Sequence, residues 1–379
     1  MSLFTSIKVI NSGKAILLSR KFGNSLRYHS TWLLDNSLDD KTRDKKNGQR
    51  LITVNDIPIK TYVKSAFLNK KGKEIILNFL PQKKKIKFST KWLEDNAYDK
   101  KQVSSKVWLD PSLKTWSKNT LKHIPIINYK TARSNKKLLL KWLISFNSFG
   151  FAKICKCGKK NGTVLKIAKL FGYVRETNYG KYFNVKSKTN AVNLAFTNLG
   201  LQAHTDNPYR NPVPTIQILH CIKNSTKGGA TKVIDGFKAA ILLKNKNRKH
   251  FDLLSKYCSR FEFKGKKNVH LKSRFPMIEL SPDNEIRAVH FNNRSIAPIT
   301  DVPYKDMLNY YEAYRKFSKI IDDPKMAISF KLKPGEAFLV DNTRVLHART
   351  AYLNAGTRWL QGCYADKDSL LSNILTKAL

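Results

Sequence analysis

Residues 199–210, LGLQAHTDNPYR, carry His204 and Asp206 at the end of a short apolar run, and residues 341–350, DNTRVLHART, answer them near the C-terminus with His347. Two imidazoles and one carboxylate are the ligand set that holds Fe(II) on one face of an octahedron and leaves the opposite positions open for chemistry. His-x-Asp by itself arises often by chance, and a lone His in a strand is more often packed than ligating. The order of the three residues, their β-like flanks and one further residue reverse those odds.

That residue is Arg358, eleven positions after His347. Between them LHARTAYLNAGTRWLQGCY (346–364) reads as two β-like runs separated by the turn formers Asn354, Ala355 and Gly356. A hairpin there is expected to bring the Arg358 strand alongside the His347 strand. A guanidinium beside an open Fe(II) site suits a dicarboxylate co-substrate, because its planar fork grips a carboxylate with two charge-assisted hydrogen bonds. The candidate is 2-oxoglutarate, chelating iron through its 2-oxo acid end while the far carboxylate meets Arg358 and the hydroxyl of Thr231.

Outward from this site the chain divides by pattern. Residues 1–98 alternate short apolar runs such as KAILLS, EIILNFL and KIKFSTKWLED with polar turns, which predicts a small β-rich N-terminal domain. Residues 99–119 have few periodic apolar positions and read as a connector, leaving 120–379 as the catalytic domain. There NKKLLLKWLISFNSFG (135–150) predicts a helix with a Gly stop, and a second helix is expected over 162–171. After Tyr182 the character turns to β through TIQILHCI, ATKVIDGF and EAFLVDN, with helical insertions at 237–254 and 304–321. Many short strands joined by long crossovers predict a mainly β chain with α insertions, a double-stranded β-helix or jelly roll rather than a parallel sheet. No internal repeat is read from the sequence.

Composition bounds the class. The 379 residues allow two domains, 41% hydrophobic content is ordinary for a globular chain, and no run of eighteen apolar residues suggests a membrane-spanning helix. The charge is unusual: 71 Lys+Arg against 27 Asp+Glu give +44. Such a balance raises nucleic-acid binding as a hypothesis. The lysines are spread through every segment, however, in short clusters such as Lys83-Lys84-Lys85 rather than one tail. No specific nucleic-acid partner is expected, only weak adhesion to polyanions that fades with salt. Five cysteines, an odd count without a secretory signal, point to reduced thiols, and Cys155-Lys-Cys157 lacks the second pair that a zinc site needs. Residues 1–34 hold five Lys/Arg and no acid, which leans towards a mitochondrial transit segment over a cytoplasmic location.

Residues 171–237, from FGYVRETNYGKYF to GGATKVIDGF, and the closing run KLKPGEAFLVDNTRVLHARTAYLNAGTRWLQGCYADKDSL resemble the γ-butyrobetaine dioxygenase and trimethyllysine dioxygenase family, Fe(II)/2-oxoglutarate oxygenases of the TauD/TfdA type. With weaker similarity in the first hundred residues, the resemblance covers nearly the whole chain. It implies a trimethylammonium substrate and O2, 2-oxoglutarate as co-substrate, ascorbate as reductant, and a homodimer. A quaternary ammonium cannot be hydrogen-bonded, so its recognition calls for a cage of aromatic faces. By the resemblance the cage falls on Tyr179, Phe183, Phe196 and Tyr364, with Asn193 and Asn292 near the substrate carboxylate.

The chain departs from the family at three places. Phe183 and Phe196 stand where relatives can use Trp or Tyr, and Asn207 follows the metal Asp where some place Tyr. The family's N-terminal domain usually carries a structural zinc on three cysteines and a histidine. Here TWLLDNSLDDKTRDKKNGQRL has Ser37 and charged residues instead, and the partner histidine is missing from QKKKIKFST, so that zinc is expected to be lost and the loop between Asn36 and Asn47 to be looser. The resulting expectation is an Fe(II)- and 2-oxoglutarate-dependent hydroxylase that converts γ-butyrobetaine to L-carnitine, with His204, Asp206 and His347 as catalytic metal ligands. The alternatives are trimethyllysine hydroxylation, another substrate on the same fold, and an inactive, basic, nucleic-acid-associated protein.

Overall fold

The computed structural model describes residues 4–99, 113–186, 199–265, 268–353 and 356–378. Contacts divide the chain into two compact units, residues 1–105 and 106–379. Asn193, Phe196, Asn354, Ala355 and most of the expected connector lie outside the described residues.

The first unit contains two similar halves. Strands Phe4–Ile10, Ala15–Arg20 and Leu26–His29 form one antiparallel sheet and lead into helix Ser30–Asp35; strands Tyr62–Leu68, Glu74–Leu80 and Lys84–Ser89 form another and lead into helix Thr90–Asp95. The helices read STWLLD and TKWLED, and each ends on an asparagine, Asn36 or Asn96, whose side-chain amide donates to the carbonyl of Trp32 or Trp92 at 2.9 and 2.8 Å. The two indoles meet at 5.7 Å between ring centroids. An internal repeat is therefore present where none was read from the sequence. Period-2 alternation fixes only which strand face is buried, so the halves share a burial pattern while few side chains repeat. The 36–50 loop is tied rather than loose: Ser37 is buried and donates to Asp39 at 2.7 Å, Asp44 N donates to Gln49 O at 2.8 Å, and Arg50 pairs with Asp35.

In the second unit, the run expected to be helical forms Lys136–Phe149, started by the Asn135 side chain accepting from Leu138 N and ended at Gly150. Gly150 has φ of +67°, and a Cβ there would lie 3.0 Å from Val345 Cγ2, so the stop needs glycine for both conformation and space. The later insertions form helices Gly236–Lys246, Arg248–Lys256 and Tyr304–Asp322. Helix Thr163–Ala168 falls within the expected 162–171 segment.

Two sheets make the core. One orders Leu201–His204, Val345–Arg349, Thr231–Asp235 and Ile328–Phe330; the other runs from Phe183–Val185 through Arg358–Ala365, Ile216–Asn224 and Ala337–Asp341 to Phe151–Cys155 and Ile126–Asn128. All pairs are antiparallel except the last. Leu219, Val233, Phe338, Val340, Val345 and Leu360, drawn from both sheets, share one buried cluster, so the sheets pack face to face. This corrects the expected hairpin. Both edges of Val345–Arg349 are already paired, by Leu201–His204 and Thr231–Asp235, so the Arg358 strand joins the opposite sheet against Ile216–Asn224.

Candidate metal centre and its pocket

His204 and His347 occupy paired positions on adjacent antiparallel strands, which puts their side chains on one face with ring centroids 4.3 Å apart. Asp206 follows His204 beyond the strand end, and its Oδ1 lies 3.3 Å from His204 Nε2 and 3.7 Å from His347 Nε2. The three donor atoms all lie within 4.8 Å of one another, the one such His/Cys/Asp/Glu cluster among the described residues.

The chemistry of these donors fits a divalent cation. His204 Nδ1 is 2.7 Å from Gln202 O, and a carbonyl can only accept, so the proton sits on Nδ1 and the Nε2 lone pair faces the site. Burial lowers both imidazole pKa values, that of His347 to about 3, which keeps the rings neutral and able to ligate. For Asp206 burial acts upwards, but the close approach of the two imidazoles and the hydrogen bond from the Tyr364 hydroxyl hold it well below the usual carboxylate range. His347 Nδ1 is buried without a hydrogen-bond partner among the described residues.

Several neighbours set the position of Asp206, and two of them, Asn342 and Gln217, were missed in reading the sequence. Asn342, almost fully buried, accepts from Asp206 N at 2.7 Å and donates to Asp206 O at 2.9 Å, gripping the backbone of the ligand from both sides. Tyr364 OH donates to Asp206 Oδ2 at 2.8 Å, and Gln217 Nε2 donates to the same oxygen. Asn207, in the left-handed region with φ of +55°, turns the chain away after the ligand, and its side chain accepts from Tyr209 OH at 2.6 Å. The only sequence signal for Asn342 was adjacency, in the DNTR run before His347, and Gln217 had none.

These groups open into a cavity of about 290 Å³. Arg358 lines it from the first position of its strand, buried, with Nε and Nη1 lacking hydrogen-bond partners among the described residues. Two buried guanidinium donors without acceptors cost several kcal/mol unless an anion meets them (on the order of 1–3 kcal/mol each). Thr231 is also buried and lines the cavity, opposite Arg349 in register. Arg349 is a second guanidinium that the sequence reading did not single out; its Nη2 donates to Leu199 O at 2.7 Å, and it lies over the Tyr352 ring that Arg358 flanks at 5.5 Å.

The aromatic wall stands on the other side of Asp206. Phe183 lies 5.9 Å from Tyr179 and 5.3 Å from Tyr364 between centroids, so three of the four expected cage residues are brought together. Tyr209 joins through a 2.9 Å hydroxyl contact with Tyr179, and Phe263 stacks on Tyr209 at 4.9 Å. Gly362 makes room for this wall: a Cβ there would stand 2.4 Å from Phe183 Cζ. Asn292 is buried against the site, donating to Thr205 O at 3.0 Å and accepting from Arg294 N at 3.2 Å.

The chain resembles known dioxygenases over most of its length. The chain is 29% identical over 350 residues to γ-butyrobetaine dioxygenase of Pseudomonas sp. (strain AK-1), covering 92% of this chain and 90% of that protein. It is 29% identical over 358 residues to the mitochondrial trimethyllysine dioxygenase of Mus musculus, covering 92% and 82%. Among solved structures, PvcB from Pseudomonas aeruginosa matches with a TM-score of 0.46 and 17% identity over 62% of this chain and 81% of that one. The model of the taurine catabolism dioxygenase TauD, TfdA family matches residues 122–364, a span that holds all three metal-ligand candidates and Arg358. The chain is thus a dioxygenase and belongs to the TauD, TfdA family.

Proposed function

We propose that this dioxygenase hydroxylates γ-butyrobetaine to L-carnitine. The observation that carries the reading is the contact of Tyr179, Phe183 and Tyr364 beside Asp206, three aromatic faces within reach of the metal ligands. Such faces attract a trimethylammonium group that nothing could hydrogen-bond. His204, Asp206 and His347 would hold Fe(II), and the freed donors of Arg358 with the Thr231 hydroxyl would grip the far carboxylate of 2-oxoglutarate. Iron and 2-oxoglutarate, when bound, supply the oxidising power of O2 with release of succinate and CO2, and ascorbate fits as the reductant. The residues of the chain supply position: Gln217 and Tyr364 orient the carboxylate of Asp206, while the aromatic wall presents one C–H bond and keeps water out.

Trimethyllysine is the second reading, and its α-ammonium would need an acidic partner. Among the described residues lining the cavity the acids are Asp206, a metal ligand, and Glu262, which already binds His270 at 2.6 Å with Lys264 and Lys272 each at 3.5 Å. This favours γ-butyrobetaine. Asn292 would stand near the substrate carboxylate, and Asn193 and Phe196 would complete the pocket. The mitochondrial naming of the mouse relative supports a mitochondrial location, whereas residues 4–34 of the basic N-terminal segment are built into the first sheet and its buried core. Succinate release screened over γ-butyrobetaine, trimethyllysine and a blank tests the reading: γ-butyrobetaine is expected to stimulate most, and no stimulation by either compound would contradict it.

A further inference from the structure

The strand that carries His204 breaks its own register before it reaches the site. Strand Leu201–His204 lies at the edge of its sheet, and Leu201 stands opposite Arg349 while His204 stands opposite His347. Two residues, Gln202 and Ala203, therefore face the single Ala348, which is the geometry of a β-bulge. Side chains three positions apart on a regular strand point to opposite faces. Here Leu201 and His204 both line the cavity, because the extra residue turns His204 back inward.

The bulge also decides what lies on the outer side. Ala203 is buried in the same cluster as Phe317 and Ile321 of helix Tyr304–Asp322, and the exposed Gln202 reaches that helix with its side chain. Gln202 Nε2 donates to Asp322 Oδ2 at 2.7 Å and to Ser318 Oγ at 3.1 Å, and Ser318 Oγ donates in turn to Asp322 Oδ2 at 3.3 Å. The other end of the amide, Oε1, accepts from Asn293 Nδ2, and Asn293 Oδ1 accepts from the Tyr314 hydroxyl of the same helix. One side chain thus spends both ends on pinning the bulge, while its backbone carbonyl accepts from His204 Nδ1 at 2.7 Å.

An imidazole that ligates through Nε2 depends on the acceptor at Nδ1, which sets the tautomer and the tilt of the ring. We infer that Gln202 is a positioning residue for the iron ligand His204: its side chain anchors the bulge to helix Tyr304–Asp322 so that its carbonyl stays on His204 Nδ1. The helix lines no part of the cavity among the described residues, yet it takes part in metal binding through this link. The inference rests on His204 as a ligand and is independent of which substrate is hydroxylated.

Anaerobic titration of Fe(II) into the wild-type protein and into Gln202→Ala, Gln202→Lys, Asp322→Ala and His204→Ala tests it. Outer-shell partners of metal ligands contribute about 10- to 100-fold in affinity, and Gln202→Ala is expected near the lower end, about 10-fold, since its carbonyl remains. Gln202→Lys keeps a donor for Asp322 and Ser318 and should recover most of that loss. Asp322→Ala approaches the same link from the helix; it should show a smaller loss in the same direction, and it decides the matter should Gln202→Ala not fold. With Co(II) in place of Fe(II), the visible absorption of Gln202→Ala should differ from that of the wild type, because a tilted imidazole changes the ligand field. A merely structural role would lower the melting temperature and leave both the Fe(II) affinity and the Co(II) spectrum alone. That result, or a loss that Gln202→Lys does not relieve, overturns the inference while His204→Ala still binds Fe(II) weakly. If His204→Ala binds Fe(II) like the wild type, the ligand assignment itself fails, and the inference with it.

Discussion

The two walls of the cavity are built in different ways. On the metal wall, His204 and His347 face each other across one register pair, and Asp206 is fixed through its backbone by Asn342 and through its carboxylate by Gln217 and Tyr364. On the aromatic wall, Tyr179, Phe183, Tyr209 and Phe263 come from separate segments and are held mainly by ring contacts and one chain of hydroxyls. Strand register and hydrogen bonds set the first wall, whereas the second is set by shape. Binding a metal ion requires fixed geometry, and binding a trimethylammonium group requires only faces at van der Waals range.

The sharpest way to break the comparison is at the metal wall. Asp206→Ala removes a ligand and the carboxylate partner of Gln217 and Tyr364, and it is expected to abolish substrate-dependent succinate formation while the far-ultraviolet circular dichroism stays that of the folded protein. Activity like the wild type would remove Asp206 from the centre. Asn342→Ala leaves every ligand in place and takes away the grip on the Asp206 backbone together with a hydrogen bond to Pro214 O, so Fe(II) affinity should fall about 10- to 100-fold, as for other outer-shell partners of metal ligands. An equilibrium titration of Fe(II) under anaerobic conditions would read this directly, and unchanged affinity would make Asn342 a packing residue.

Arg358 tests the boundary between the walls. Arg358→Lys keeps a charge but loses the planar fork, so the KM for 2-oxoglutarate should rise about tenfold or more while that for the primary substrate moves less. A KM that does not move would free Arg358 from the co-substrate. On the aromatic wall Gly362→Ala places a methyl where the Phe183 ring lies and must push the ring aside. With one cation–π face displaced, the substrate KM is expected to rise about 2- to 30-fold, with the 2-oxoglutarate KM constant. Equal changes in both would point to a wider distortion of the sheet.

Legibility in the sequence follows the same division. His204, Asp206, His347 and Arg358 could be read because their side-chain chemistry is rare in that order and because strand ends bring such residues together. The hairpin expected between His347 and Arg358 was misread, since a linear pattern reports that two strands exist and not which sheet has a free edge. Tyr209, Phe263 and Arg349 were passed over because aromatic and basic residues are plentiful throughout a chain with 71 Lys+Arg. Their roles depend on contacts between segments far apart in sequence, as Phe263 with Tyr209 or Asn292 with Thr205. The repeated sheet-and-helix halves of the first unit escaped for a related reason: only the Trp-Leu pair and the closing Asp-Asn recur, in STWLLDN and STKWLEDN.

The central claim is that the metal wall and the aromatic wall act on one trimethylammonium carboxylate, and product analysis tests it most directly. The purified protein is incubated with Fe(II), 2-oxoglutarate, ascorbate, O2 and γ-butyrobetaine, and L-carnitine and succinate are quantified together by mass spectrometry. The account predicts L-carnitine and succinate in equal amounts, with faster turnover of γ-butyrobetaine than of trimethyllysine. Succinate formed without L-carnitine, or hydroxylation of trimethyllysine in preference, would contradict it.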